Sequence, residues 1–236
     1  MKFKLTVIFL LVLIFGANAQ SVTYDNTSYG DDIRTVILQK AISIYDPLPL
    51  IALGSSERLR LSFDILSPNN EFFNYTYIHC DRNWQESSLQ QMEYISGKLM
   101  GDIVDFKFST NTYQRFTHYA LNFPEKDMEI TKSGNYILKI YRNFDLEDVV
   151  LTRRFMVLDR HTSISTNIRS ATDPEYRFTH QEVDFSVNYE GFTIPNPFLD
   201  VNVTVLQNNS WNNAIYNLKP LFVNNNDFYI SSNYQS

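Results

Sequence analysis

The chain has 236 residues, with 20 Lys and Arg against 26 Asp and Glu and four His, a formal net charge of −6. That acidic balance argues against nucleic acid and anionic lipid surfaces as partners, because either needs a concentrated positive face. Cys80 is the only cysteine, which excludes an internal disulfide framework; stability must come from apolar burial, and this length can supply it as two domains.

The first element is a targeting segment. Lys2 and Lys4 open it, Leu5 to Phe15 is an apolar run, and Gly16-Ala17-Asn18-Ala19 closes it with small residues in an A-x-A pattern. This reads as a secretory signal peptide over residues 1–19, cleaved between Ala19 and Gln20. The run is shorter than the roughly 20 residues of a membrane helix. The residue directly after the cleavage site is Gln20 and not a cysteine, which disfavours a lipid anchor. Loss of the two lysines leaves 18 basic and 26 acidic residues.

The whole chain is rich in Phe (18) and Tyr (15) and poor in Gly (7), with 23 Asn, nearly all of them available for turns. Alternation of period two recurs down the chain. Leu59 to Ile65 sets Leu, Leu, Phe and Ile on one face and Arg, Ser and Asp on the other; Phe73 to His79, Tyr136 to Tyr141 and Val150 to Val157 repeat the pattern. Such strands bury one face and wet the other, as antiparallel sheets do. Turn residues separate them at Ser67-Pro68-Asn69-Asn70, Ser133-Gly134-Asn135 and Asn143-Phe144-Asp145. Leu89 to Leu99 reads as loop. No long segment has a helical period.

A boundary is expected near Asp159-Arg160-His161-Thr162. Residues 20–160 form a first β-sandwich domain, and residues 161–236 begin a second β-rich domain that is incomplete. Its expected strands are Ser163 to Arg169, Gln181 to Tyr189, Leu199 to Gln207, Ala214 to Leu218 and Phe228 to Ser232. From His161 onward there are 3 basic and 7 acidic residues with 13 Asn, a polar but nearly uncharged composition. The fold class is all-β, with antiparallel immunoglobulin-like sandwich domains.

Candidate chemistry is sparse. "YIHCDRNWQESSL", Tyr77 to Leu89, gathers His79, Cys80, Asp81, Arg82 and Trp84. A zinc site would need a second Cys or His pair at ligand spacing, and the chain has no CxxC, HxxxH or HxH. Adjacent strand residues also point to opposite faces, which separates His79 from Cys80. The structural reading is a strand ending at a polar turn, with Trp84 folding back as an apolar plug over the sheet end. Arg153-Arg154 reads as one arginine with a buried stem beside one facing solvent. Glu182 and Asp184, at i and i+2, share a strand face; a glycosidase acid and base pair is conceivable at that spacing, and a solvated face is the plainer reading. There is no GxSxG, P-loop or GxGxxG. No catalytic residue, metal ligand or cofactor site is assigned.

Several segments together carry a resemblance: "LGSSERLRLSFDIL", "YTYIHCDRNW", "THYALNFP", "SGNYILKIYR", "VLTRRFMVLD" and "RSATDPEYRFTHQEVDFSVNY", in order from about Ile33 to Tyr189. They resemble the plug protein of the bacterial type IX secretion system, whose members are longer than this sequence. The resemblance implies a periplasmic protein of β-sandwich domains, on the inner side of the outer membrane. It implies a non-enzymatic plug that closes the pore of a very large outer-membrane β-barrel translocon when no substrate is present, without enzymatic activity or cofactor. Loops at the sandwich ends are the expected contacts, with Asp81, Arg82 and Trp84 as candidates. The rival reading is a secreted carbohydrate-binding or other adhesion-type sandwich module, which would present coplanar aromatics on an open face.

Overall fold

Leu59, Leu61, Phe63 and Ile65 are fully buried while Arg60, Ser62 and Asp64 between them are half-exposed, the period-two pattern of their sequence made physical. The computed structural model describes residues 22–42 and 48–232. The signal-peptide reading falls on residues 1–19, outside the described residues.

The first group of strands comprises β1 (Thr27–Ser28), β2 (Ile33–Lys40), β3 (Leu50–Ala52), β4 (Leu59–Ile65) and β5 (Phe73–Cys80). One helical turn, α1 (Gln91–Tyr94), comes next. Then follow β6 (Ile95–Gly97), β7 (Gly101–Asp102), β8 (Asp105–Phe108), β9 (Thr117–Phe123), β10 (Met128–Ile130), β11 (Gly134–Arg142) and β12 (Val149–Leu158). A six-stranded sheet runs β1-β12-β11-β5-β7, with β3 parallel to β12 and every other pairing antiparallel. A four-stranded antiparallel sheet runs β2-β4-β9-β8. Their inner faces form one core, in which Phe123 of β9 lies 5.2 Å from Phe155 of β12 and 5.8 Å from Tyr77 of β5. This is a β-sandwich, with aromatic rings filling the space between sheets. A short ribbon, β6-β10, packs into the same core through Ile95, Met128 and Ile130.

The outer face of the six-stranded sheet departs from the expectation of a wet side. Residues 73–77 of β5, 136–141 of β11 and 149–152 of β12 are buried without alternation. Loop segments cover that face and satisfy its polar groups. Thr76 donates to the Leu99 carbonyl and accepts from Gln91, Asn74 donates to Asp102, and Thr152 donates to the Asp25 carbonyl. The three central strands are therefore covered on both sides.

Leu89 to Leu99 is not a featureless loop. Glu93 accepts from the Gln90 backbone N–H and closes the single turn of α1, after which β6 begins.

The second group comprises β13 (Ser163–Ser170), β14 (Gln181–Asn188), a helical turn α2 (Pro197–Asp200), β15 (Val203–Gln207), β16 (Ser210–Leu218), β17 (Phe222–Asn224) and β18 (Asp227–Ser232). A sheet β13-β14-β18-β17 and a ribbon β15-β16 enclose a smaller core of Phe185, Val187, Tyr189, Phe228 and Ile230. The strand expected from Leu199 starts only at Val203. Asn196 accepts from the Phe198 N–H and Pro197 occupies the first turn, so Asn-Pro starts a helical turn there instead. No strand of this group pairs with one of the first among the described residues.

Asparagine does take turn positions: among the described residues, six of the nine non-glycine residues with positive φ are Asn, at 111, 143, 208, 209, 217 and 225.

Candidate functional site

The 77–89 stretch divides as strand geometry requires. His79 lies on the Tyr75 and Tyr77 side; its Nδ1 is 2.8 Å from Ser87 Oγ and its Nε2 3.3 Å from the Ser133 carbonyl oxygen. Cys80 lies on the other side, packed with Trp84 and Ile137. Burial pushes the Cys80 thiol up to about 12, and Glu86 and Asp81 add to the shift. A thiol so held is a packing group and not a nucleophile at neutral pH. No cluster of three His, Cys, Asp or Glu side chains suited to a metal occurs among the described residues.

After Cys80 the chain reverses through a tight polar turn. The Asp81 carboxylate accepts from the N–H groups of Asn83 and Gln85 at 2.8 and 2.9 Å, and the Trp84 N–H donates to the Asp81 carbonyl. Trp84 adopts φ of 60° and is 2 % exposed. Its indole lies back against Cys80 and Ile137 on the outer face of the six-stranded sheet. Asp81 and Arg82 stay exposed, beside a shallow polar cleft shared with Asp200 and Asn202.

What the sequence did not reveal is the partner of Trp84. Trp211 of β16 meets it edge-on, with ring centroids 5.0 Å apart, and the Arg154 guanidinium lies 4.6 Å from the Trp84 ring centroid and 5.9 Å from that of Trp211. Arg154 also donates from Nε and Nη2 to the Tyr24 carbonyl and pairs with Asp25 at 3.3 Å. Trp84 Nε1 has no hydrogen-bond partner among the described residues, so the ring is used for its faces. The cluster joins the N-terminal segment, the 81–85 turn, β12 and β16.

The expected contrast between Arg153 and Arg154 does not hold. Arg153 points the other way but is not solvent-facing: it donates to the Thr27 carbonyl and to Ser28 Oγ at 2.7 and 3.0 Å, with burial lowering it to about 10. Both stems are covered because β1 lies alongside β12.

Glu182 and Asp184 share a face of β14, but not a solvated one. Glu182 is 6 % exposed and accepts from the Thr172 N–H and Oγ1, both at 2.8 Å. Arg169 bridges the pair, with Nη2 2.9 Å from Glu182 and Nε 3.0 Å from Asp184. Thr172, and then Arg169, hold the Glu182 carboxyl below its usual range; Ser231 and Arg169 do the same for Asp184. A glycosidase acid needs the opposite shift. These carboxylates serve as ionised acceptors that fix the 169–172 segment to β14.

No helix of the described residues is long and apolar enough to cross a membrane. A β-sandwich whose conspicuous polar residues close turns and clamp segments together belongs to a structural class of protein. Residues 33–159, more than half of the chain, match the family model described as the type 9 secretion system plug protein 1st domain, and the chain belongs to that family. The match spans the sandwich from the first residue of β2 to the end of β12. No curated protein matches the sequence. Among solved structures, the chain is similar to the crystal structure of a hypothetical protein from Parabacteroides merdae, with a TM-score of 0.83 and 29% identity, over 89% of this chain and 52% of that one. The chain thus spans about half the length of that relative. Family membership relates the chain to type 9 secretion.

Proposed function

We propose that this protein is a non-enzymatic periplasmic plug, exported by a cleavable signal peptide, that closes the pore of the type IX outer-membrane translocon when no substrate occupies it. The family match from β2 to the end of β12 carries this reading. The chemistry of the molecule is compatible with it: the thiol, the paired carboxylates and both neighbouring arginines are engaged in holding the fold. A large barrel has a polar, water-filled interior, so a stopper needs a rigid polar body and not an apolar one. The sandwich, with central strands covered on both faces, supplies rigidity. Asp81 and Arg82 are exposed and remain candidate contacts, and Trp84 serves them by fixing their turn from behind.

A dissociation constant near 1 μM corresponds to about −8 kcal/mol, a depth from which an arriving substrate chain could displace the plug. The test is envelope permeability. A deletion strain should admit more small solute or antibiotic through its outer membrane than the parent, and re-expression should reverse the leak. Equal uptake by the two strains would rule out the sealing role. The carbohydrate-binding alternative predicts retention on immobilised glycans by the purified chain; both tryptophans are already packed against one another, which leaves that role to other rings.

A further inference from the structure

The end of the first sandwich farthest from β13 carries an apolar cluster that the fold does not use. Phe72, Val104 and Phe144 are 71%, 80% and 63% exposed, and Leu146 is 46% exposed. Backbone pairing brings them together. The Asn143 N–H donates to the Phe72 carbonyl, the Ile103 N–H donates to the Phe73 carbonyl, and the Phe144 N–H donates to Asn74 Oδ1 at 2.8 Å. Continuing the β5–β7 register sets Val104 opposite Phe72, on the side away from Asn143. Four large apolar side chains thus share one tip.

Two further observations separate this tip from scattered surface hydrophobicity. Asn143 and Phe144 have φ of 51° and 62°, and the Asp145 N–H donates to the Arg142 carbonyl at 2.8 Å, so both central residues of the turn are left-handed. Glycine is the residue such a turn favours at the second position, and a phenylalanine there is strained while its side chain stays largely exposed. The base of the tip is also held rigid. Arg142 bonds Glu71 at 2.9 Å and reaches Asp148 at 3.4 Å and Asp32 at 3.5 Å, tying three loops. That cation is consumed; Asp102, Asp145 and Glu147 have no ion pair among the described residues, and only the buried Lys139 acts on Glu147 and Asp145 from a distance. The rim is acidic, with no free positive charge in residues 69–74, 102–104 or 143–148.

The geometry points to this tip as a docking knob, with Phe144 at its apex, for a protein socket that is apolar at its centre and lined by Arg or Lys. The acidic rim selects that partner by charge and repels anionic lipid. Resting on the plug reading, the inference assigns the socket to the periplasmic mouth of the translocon barrel.

The experiment uses the full-length tagged protein in its native membranes. Phe144→Gly places glycine where the turn favours it, so the purified variant should melt no lower than the parent. Recovery of the barrel should nevertheless fall at least tenfold, as it should for Phe72→Ser with Val104→Ser. Parental recovery should weaken as salt is raised. Undiminished barrel recovery by Phe144→Gly and by the double variant would overturn the knob and leave the plug reading standing. No barrel recovered by the parent would sink the plug reading and this assignment with it. Binding of the parent, but not Phe144→Gly, to phosphatidylcholine vesicles would make the tip a lipid contact and overturn the proposal.

Discussion

The Arg154 guanidinium lies 4.6 Å from the Trp84 ring centroid, and the same ring receives the edge of Trp211. One side chain from the first sandwich therefore lies beside two tryptophans that touch each other although they are 127 positions apart in the chain. A cation held against aromatic faces contributes about 0.5–2 kcal/mol, more when desolvated. Trp84→Ala should cost about 3–5 kcal/mol in urea unfolding, the range for deleting a buried large aromatic. Trp84→Phe should cost clearly less, since the indole N–H has no partner to lose. A cycle of Arg154→Met with Trp211→Ala should show coupling of about 0.5–2 kcal/mol. Strict additivity would mean the stack holds nothing together.

Cys80 should be silent in the folded protein. Its thiol is buried and raised to about 12, so almost no thiolate exists at pH 8. A chromogenic disulfide reagent should modify no thiol under native conditions and one per chain in denaturant. Rapid native labelling would contradict the packing of Cys80 under Trp84.

Acid should loosen the second group of strands. Glu182 and Asp184 are both held below their usual ranges, by Thr172 and by Ser231 respectively, with help from Arg169. Groups depressed in the folded state stabilise it above their unfolded pKa, about 4, and that contribution disappears as pH falls through the folded values. Melting temperature should therefore drop below about pH 4, and Glu182→Gln with Asp184→Asn should flatten that dependence. An unchanged acid limb in the double variant would assign the effect elsewhere.

Lys139 lies in the middle of β11 and is 7 % exposed, without an ion pair among the described residues, and burial lowers its pKa. Holding it charged there works against folding. Lys139→Met should stabilise by about 0.5–2 kcal/mol at pH 7. The advantage should shrink as pH rises toward the ordinary lysine value of about 10.4, where the unfolded chain also loses its charge. A destabilised methionine variant would show that the ammonium is needed.

The strands that could be read from the sequence are those whose alternation is uninterrupted. Leu59–Ile65 is found with the limits the pattern gives, and Val149–Leu158 within one residue of them. β2 was hidden because its pairing shifts between Arg34 and Ile37, with Thr35 at φ of 51°, which breaks the period. α2 was hidden because an apolar Pro-Phe-Leu run looks like the start of a strand until the Asn196 cap is seen. At the candidate site, the separation of His79 from Cys80 follows from the pleat alone. The Trp84–Trp211 contact does not, because no local pattern ties a turn after β5 to a strand 130 residues later. Asn143-Phe144 was legible as a turn; its handedness was not.

Double-sided burial of β5, β11 and β12 also sets where this lineage can diverge. A strand with one wet face can exchange half its side chains freely, whereas most positions of these three are buried. At 29% identity to the Parabacteroides merdae protein, most positions have changed. The unchanged ones should gather along those three strands, with the margins of the sandwich absorbing the drift.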